Sequence, residues 1–334
     1  MKTKINLKTR STLSAFVVCL TLTSACSTSA TRGPTSVDSE ANPLVSVDLR
    51  PELLQYDAKI TLTETGPVKT HNHCNIKRIV LAGRDPVVPG SNSSEVVSAF
   101  IYTPKESSST LPGKVLINPP TGGITPLDRG LAQSLCQKGA EVAVLETWSG
   151  YDEPGKIDFG SHDRASIRAI FAARYVIEYL NAPITILGSS VGAIYSSMIM
   201  GQDSRVKAGV FLVGGAPMVD VLTLTDQKIP ATLREERMEQ FHIADQKAYH
   251  DLLEKNVRIS ASDFASSSRA QDILMFVGLR DTTVPTATQI FLWKAWGQPE
   301  RIDFKKNHVD TIVAASVLRK HKIMKFILAH AKTP

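Results

Sequence analysis

Along most of the chain, short apolar runs alternate with segments of helical length, the pattern of parallel strands joined by crossover helices. The runs Val96–Tyr102, Lys114–Asn118, Glu141–Leu145, Pro183–Leu187, Ala208–Val213, Ile273–Val277 and Arg301–Phe304 predict strands. Between them, Asp163–Leu180 sets Ile170, Ala173, Ile177 and Leu180 on one helical stripe with Arg168 and Glu178 off it, so this helix is expected to pack on the sheet. Leu127–Lys138, Val191–Met200, Pro285–Trp296 and Thr311–Ala331 supply the other predicted helices. Residues 44–94 read as an N-terminal extension whose strands, Ala58–Thr63 and Lys77–Leu81, form a sheet edge or cover. Residues 218–268 break the alternation with two segments rich in helix formers, Pro230–Ile243 and Ala244–Asn256. An insertion of this length usually carries function.

The N-terminus has a different pattern. Lys2, Lys4, Lys8 and Arg10 precede an uncharged apolar run from Ser11 to Leu22, then Thr23, Ser24, Ala25 and Cys26. That is the layout of a secretory signal over residues 1–25. The run is shorter than the roughly twenty residues a membrane-spanning helix needs. Small residues before Cys26 resemble a bacterial lipobox, in which the Cys thiol takes a diacylglycerol and becomes the new N-terminus. Lipidation is favoured over simple cleavage near Ala25, although Thr23 stands where such motifs more often have Leu. Residues 26–43 are small, polar and broken by Gly33, Pro34 and Pro43, the composition of a flexible tether. The expected location is the cell envelope, with the lipid in the membrane. Ser27 points to outer-membrane sorting, and a soluble periplasmic or secreted form is the alternative.

Composition changes the picture at two points. A chain of 334 residues with 43% hydrophobic and 21% charged residues can bury a sizeable core. Its formal charge of +6 is concentrated in the leader, which carries four bases and no acid, so the remainder has no basic stripe for nucleic acid. Beyond the leader, Cys74 and Cys136 remain beside Cys26, and an oxidising compartment permits a disulfide between them. His71, His73 and Cys74 cluster like metal ligands, but nothing elsewhere completes the set, and no metal or cofactor is expected.

The chemistry centres on Gly188-Ser189-Ser190-Val191-Gly192, which is G-x-S-x-G between a predicted strand and helix. Two glycines let a tight turn close on itself and expose Ser190 at its apex. A serine hydroxyl needs a base, and the base needs a group that fixes its tautomer. Asp281 lies in the turn after Ile273–Val277, and His308 just beyond the last predicted strand, giving the chain order Ser, Asp, His. Glu146 and Asp220 also sit near strand ends and compete for the acid role. The N–H of Val191 is one candidate donor to an oxyanion, with Thr121 (or Gly122) in the loop after Lys114–Asn118 as the other. Trp148–Tyr151, after Glu146, is expected to wall the pocket.

Together, Gly188–Ala193, Gly278–Pro285 and Asn307-His308 resemble the α/β-hydrolase superfamily over residues 95–332, with a weaker likeness to dienelactone-hydrolase-like and acyl-hydrolase-like branches. The resemblance implies a mostly parallel eight-stranded sheet with helices on both faces. It also implies a helical lid at 218–268, and nucleophile, acid and base roles for Ser190, Asp281 and His308. Where many relatives carry His-Gly-Gly, this chain has Pro120-Thr121-Gly122-Gly123. The expected activity is hydrolysis of a small-molecule carboxylic ester or thioester through an acyl-enzyme. A peptidase or amidase on the same three residues, and a catalytically silent envelope-binding lipoprotein, are the alternatives. The sequence sets no oligomeric state.

Overall fold

The computed structural model describes residues 60–84, 94–105, 113–147 and 161–330. The leader, Cys26, the tether, residues 44–59 and the Trp148–Tyr151 loop lie outside these residues. Ten strands make one sheet: β1 (Thr61–Thr65), β2 (Lys69–His71), β3 (Cys74–Arg84), β4 (Ser94–Pro104), β5 (Lys114–Asn118), β6 (Glu141–Thr147), β7 (Ile184–Ser189), β8 (Val206–Leu212), β9 (Ile273–Gly278) and β10 (Glu300–Phe304). Their order is β1-β3-β4-β6-β5-β7-β8-β9-β10, with β2 paired to β3. From β6 to β10 every pairing is parallel, while β1 to β4 pair antiparallel, as does β4 with β6.

The count is ten rather than the expected eight because β1 and β2 add to the edge. They hold five and three residues, all exposed, and pair only with β3. β1 overlaps the edge strand expected over Ala58–Thr63, whereas β2, with neither face buried, has no alternation to betray it. β3 pairs with β4 in unbroken register from Cys74↔Pro104 to Arg84↔Ser94, inside the extension expected at the sheet edge. The N-terminal extension thus supplies a full strand of the sheet.

Strand parity divides the core into two layers. Leu116, Ile186, Phe211 and Met275 face one cluster, which includes Ile170, Ile177 and Met198 from helices α2 (Ser161–Leu180) and α3 (Val191–Gln202). Val115, Leu187, Leu212 and Phe276 face the other, with Leu131 and Leu135 of α1 (Pro126–Cys136) and with Ile323 and Ile327 near the C-terminus. Covered on both faces, β5 and β7 to β9 read as continuous apolar runs rather than alternating ones. Thr125 starts α1 with a capping box to Asp128, and Pro126 occupies a position where a missing N–H costs nothing.

One helix is expected over Thr311–Ala331, but two form: α8 (His308–Leu318) and α9 (Lys320–His330). The first buries Thr311, Ala314 and Ala315, the second Ile323 and Ile327. Eight residues separate Ala315 from Ile323, which in a straight helix would turn the second stripe about 80° off the sheet. The break at Arg319 restores the phase. Asn307 starts α8 three residues early by accepting the Asp310 N–H at 2.9 Å.

Cys74, at the start of β3, is joined to Cys136, at the end of α1, across 62 residues of chain. Both are fully buried. Closing a loop of this length limits the unfolded ensemble, so replacing both with serine is expected to destabilise the protein by about 3–4 kcal/mol and to lower Tm by about 5–10 °C. Thermal melts with and without reductant check this: reductant should shift the wild type and leave the double variant unchanged.

Candidate active site

Strand β7 delivers Ser190 into a turn before α3. Ser190 has φ 57° and ψ −128°, a conformation that non-glycine residues adopt only under constraint. The constraint is visible. Ser190 N–H donates to Leu212 O at 2.9 Å, and its own carbonyl accepts from Ala193 and Ile194 N–H at 2.9 and 3.2 Å. A Cβ on Gly188 would stand 2.2 Å from Gly192 O, and one on Gly192 would stand 2.3 Å from Asn118 O. Only glycine fits either position. The same approach sets the loop after β5 against the first turn of α3.

Asp281 follows β9. Its Oδ1 accepts from the Thr283 and Val284 N–H, each at 3.0 Å. Its Oδ2 accepts from His308 Nδ1 at 2.7 Å and from Gln289 Nε2 at 2.8 Å. Four donors around one buried carboxylate fix its rotation. His308 is the first residue of α8, and its Nε2 lies 2.8 Å from Ser190 Oγ. An ionised carboxylate only accepts, so Nδ1 carries the proton and Nε2 presents its lone pair to the Ser190 hydroxyl. The structure therefore brings Ser190, Asp281 and His308 into one hydrogen-bonded series at the C-terminal ends of β7, β9 and β10.

The competing acids are engaged elsewhere. Glu146 is held by Arg78 Nε, and Asp220 Oδ1 meets His250 Nε2 at 2.8 Å. His250, Asp251 and Glu254 also bring ligand-type atoms near one another, but Asp251 already pairs with Lys247 and none of the three borders the Ser190 pocket. Among the described residues, no helix is long and apolar enough to cross a membrane.

An open pocket leads to Ser190. Thr121 and Val191 border it beside the serine; Gly122, the other candidate donor, does not. Its far wall comes from the 218–268 insertion, which folds as α4 (Met218–Leu224), α5 (Lys228–Gln240) and α6 (Gln246–Asn256), followed by two 3-10 turns. Met218, Val221, Leu222, Ile229 and Pro230 line that wall, and among the described residues no charged side chain lines the pocket. Four hydrogen bonds stitch the wall to the turn carrying Asp281. Thr225 Oγ1 donates to Thr283 O at 2.6 Å, and Asp226 N–H donates to Thr282 O at 3.2 Å. The Thr282 and Thr283 hydroxyls donate to the two oxygens of Asp226 at 2.5 and 2.8 Å.

Sequence reasoning does not find Gln289. It is fully buried one turn into α7 (Thr286–Ala295), and nothing in its chemistry marks it before the turn is folded. The signal that could have found it is its position eight residues after Asp281, just inside the helix that the acid turn opens.

Neither a protein-family model nor a curated protein sequence matches the chain. Solved structures do. An acetyl xylan esterase from Paenibacillus sp. R4 superposes with a TM-score of 0.59 at 16% identity, covering 84% of this chain and 91% of that one. Acetyl xylan esterase 1 from Thermoanaerobacterium sp. JW/SL YS485 gives 0.56 at 17% identity, covering 84% and 90%. A cold-adapted esterase from an Arctic intertidal metagenomic library gives 0.51 at 12% identity, covering 80% and 98%. With its mostly parallel sheet, flanking helices and serine turn after β7, the chain has the α/β-hydrolase fold.

Proposed function

We propose that the protein is a serine hydrolase that cleaves a carboxylic ester or thioester through an acyl-enzyme on Ser190. The observation that carries this reading is the series Asp281 to His308 to Ser190, with contacts of 2.7 and 2.8 Å. His308 Nε2 takes the hydroxyl proton as Ser190 Oγ attacks the carbonyl carbon, and Asp281 stabilises the imidazolium that results. The carbonyl electrons move onto oxygen. There the Val191 N–H, which as first in α3 has no carbonyl a turn behind it, and the Thr121 N–H are the assigned donors. Collapse expels the alcohol or thiol, protonated by His308. Water, deprotonated by the same imidazole, then releases the acid and regenerates Ser190.

The pocket supports a neutral, apolar group on the substrate. A carboxylate placed against buried Met218, Val221 and Leu222 would lose water without gaining a charged partner among the described lining residues. Export and lipidation at Cys26 belong to the same proposal and rest on the leader sequence.

The test is a hydrolysis panel joined to active-site labelling. A fluorophosphonate should modify one residue, mapped by mass to Ser190. Nitrophenyl butanoate should be cleaved at least about tenfold faster than its hemisuccinate analogue, and peptide anilides more slowly than either. Rapid peptide cleavage would favour the peptidase reading; folded protein that neither labels nor hydrolyses would favour a binding role.

A further inference from the structure

The Asp281 turn closes around a residue outside the catalytic series. The Gln289 carboxamide has no exposed surface and makes three hydrogen bonds. Its Oε1 accepts the Gly278 N–H at 3.1 Å, while its Nε2 donates to Val284 O at 2.7 Å and to Asp281 Oδ2 at 2.8 Å. The amide orientation is over-determined, because reversing it would set the nitrogen against the Gly278 N–H and the oxygen against both a carbonyl and a carboxylate. Gly278 ends β9 and Val284 ends the acid turn, so one side chain spans the turn from its first residue to its last. At the middle it touches the carboxylate oxygen that also receives His308 Nδ1–H.

Building on the serine-hydrolase reading, we propose that Gln289 is a positioning residue. It acts through Asp281, holding Oδ2 in line with the imidazole and sharing the charge that would otherwise fall on the His308 contact alone. Thr283 and Val284 fix Oδ1; Gln289 is the second donor, beside His308, on the other oxygen. Small displacements in such a series cost rate rather than substrate affinity.

The experiment is a double-mutant cycle on the full chain, with nitrophenyl butanoate as substrate. Gln289→Leu should lower kcat by about 10–100-fold and leave KM within about twofold. Combined with Asp281→Ala, the same substitution should change kcat by less than about twofold, because the residue through which it acts is gone. Equal factors in both backgrounds would mean a structural role only and would overturn the proposal. Gln289→Glu, which keeps the volume and the acceptor for Gly278, covers the case in which leucine does not fold. Its kcat relative to wild type should fall as pH rises and the introduced carboxyl ionises beside Asp281 and His308; a flat ratio would overturn the proposal. Failure of the underlying reading looks different. Full hydrolysis by Ser190→Ala would sink the serine-hydrolase reading, whereas a dead Ser190→Ala beside an unimpaired Gln289→Leu would sink only the role of Gln289.

Discussion

Ser190→Ala is expected to lower kcat by about 10⁶-fold, with the protein folded and its pocket intact. The size follows from what is removed. Without Oγ there is no acyl-enzyme, and His308 Nε2 loses the hydroxyl that it holds at 2.8 Å. On the proposed mechanism the Val191 and Thr121 N–H groups would still polarise a bound carbonyl, so a residual acceleration over water of about 10³–10⁴ is expected from the oxyanion site and binding alone. The substitution leaves the backbone problem unchanged, since alanine at φ 57° is constrained as serine is. Circular dichroism and thermal melts should therefore match the wild type closely while steady-state hydrolysis disappears. A variant that kept a tenth of the wild-type rate would show that bond cleavage does not pass through this serine.

Asp281→Asn is expected to be nearly as damaging, at about 10⁴-fold in kcat with KM little changed. The surroundings dictate how the new carboxamide sits. Thr283 and Val284 present two backbone N–H groups to the Oδ1 position and require an oxygen there. The amide nitrogen is then forced into the Oδ2 position, facing donors on both His308 and Gln289. The imidazole can relieve the clash by moving its proton to Nε2, which places N–H against the Ser190 hydroxyl and abolishes its basic function toward it. Gln289 has no such freedom, because reversing its amide would break its bonds to Gly278 and Val284. Measuring kcat and KM separately is the check; a loss carried mainly by KM would mean that Asp281 shapes the pocket rather than the base.

The parallel half of the sheet and the three residues at its rim were legible because their signals are local. β5, β7 and β9 are apolar runs, and Ser190 sits between two glycines whose spacing matches the turn. Asp281 and His308 could be placed because each closely follows such a run. What was hidden depends on contacts distant in sequence. β2 buries nothing, so it carries no hydrophobic period, and β1 was legible only at its start, within Ala58–Thr63. β3 was visible only at its apolar centre, since its start joins a disulfide and its end is polar. The break between α8 and α9 has no proline or glycine to announce it and arises from the phase at which each half meets the sheet. Gln289 is an ordinary helix residue until the acid turn folds over it.

The stitching between Asp226 and the threonines at 282 and 283 bears on how substrates enter. Swinging the insertion outward would break four hydrogen bonds together and pull on the very turn that aims the acid. The described wall of the pocket and the turn that holds Asp281 thus share one frame.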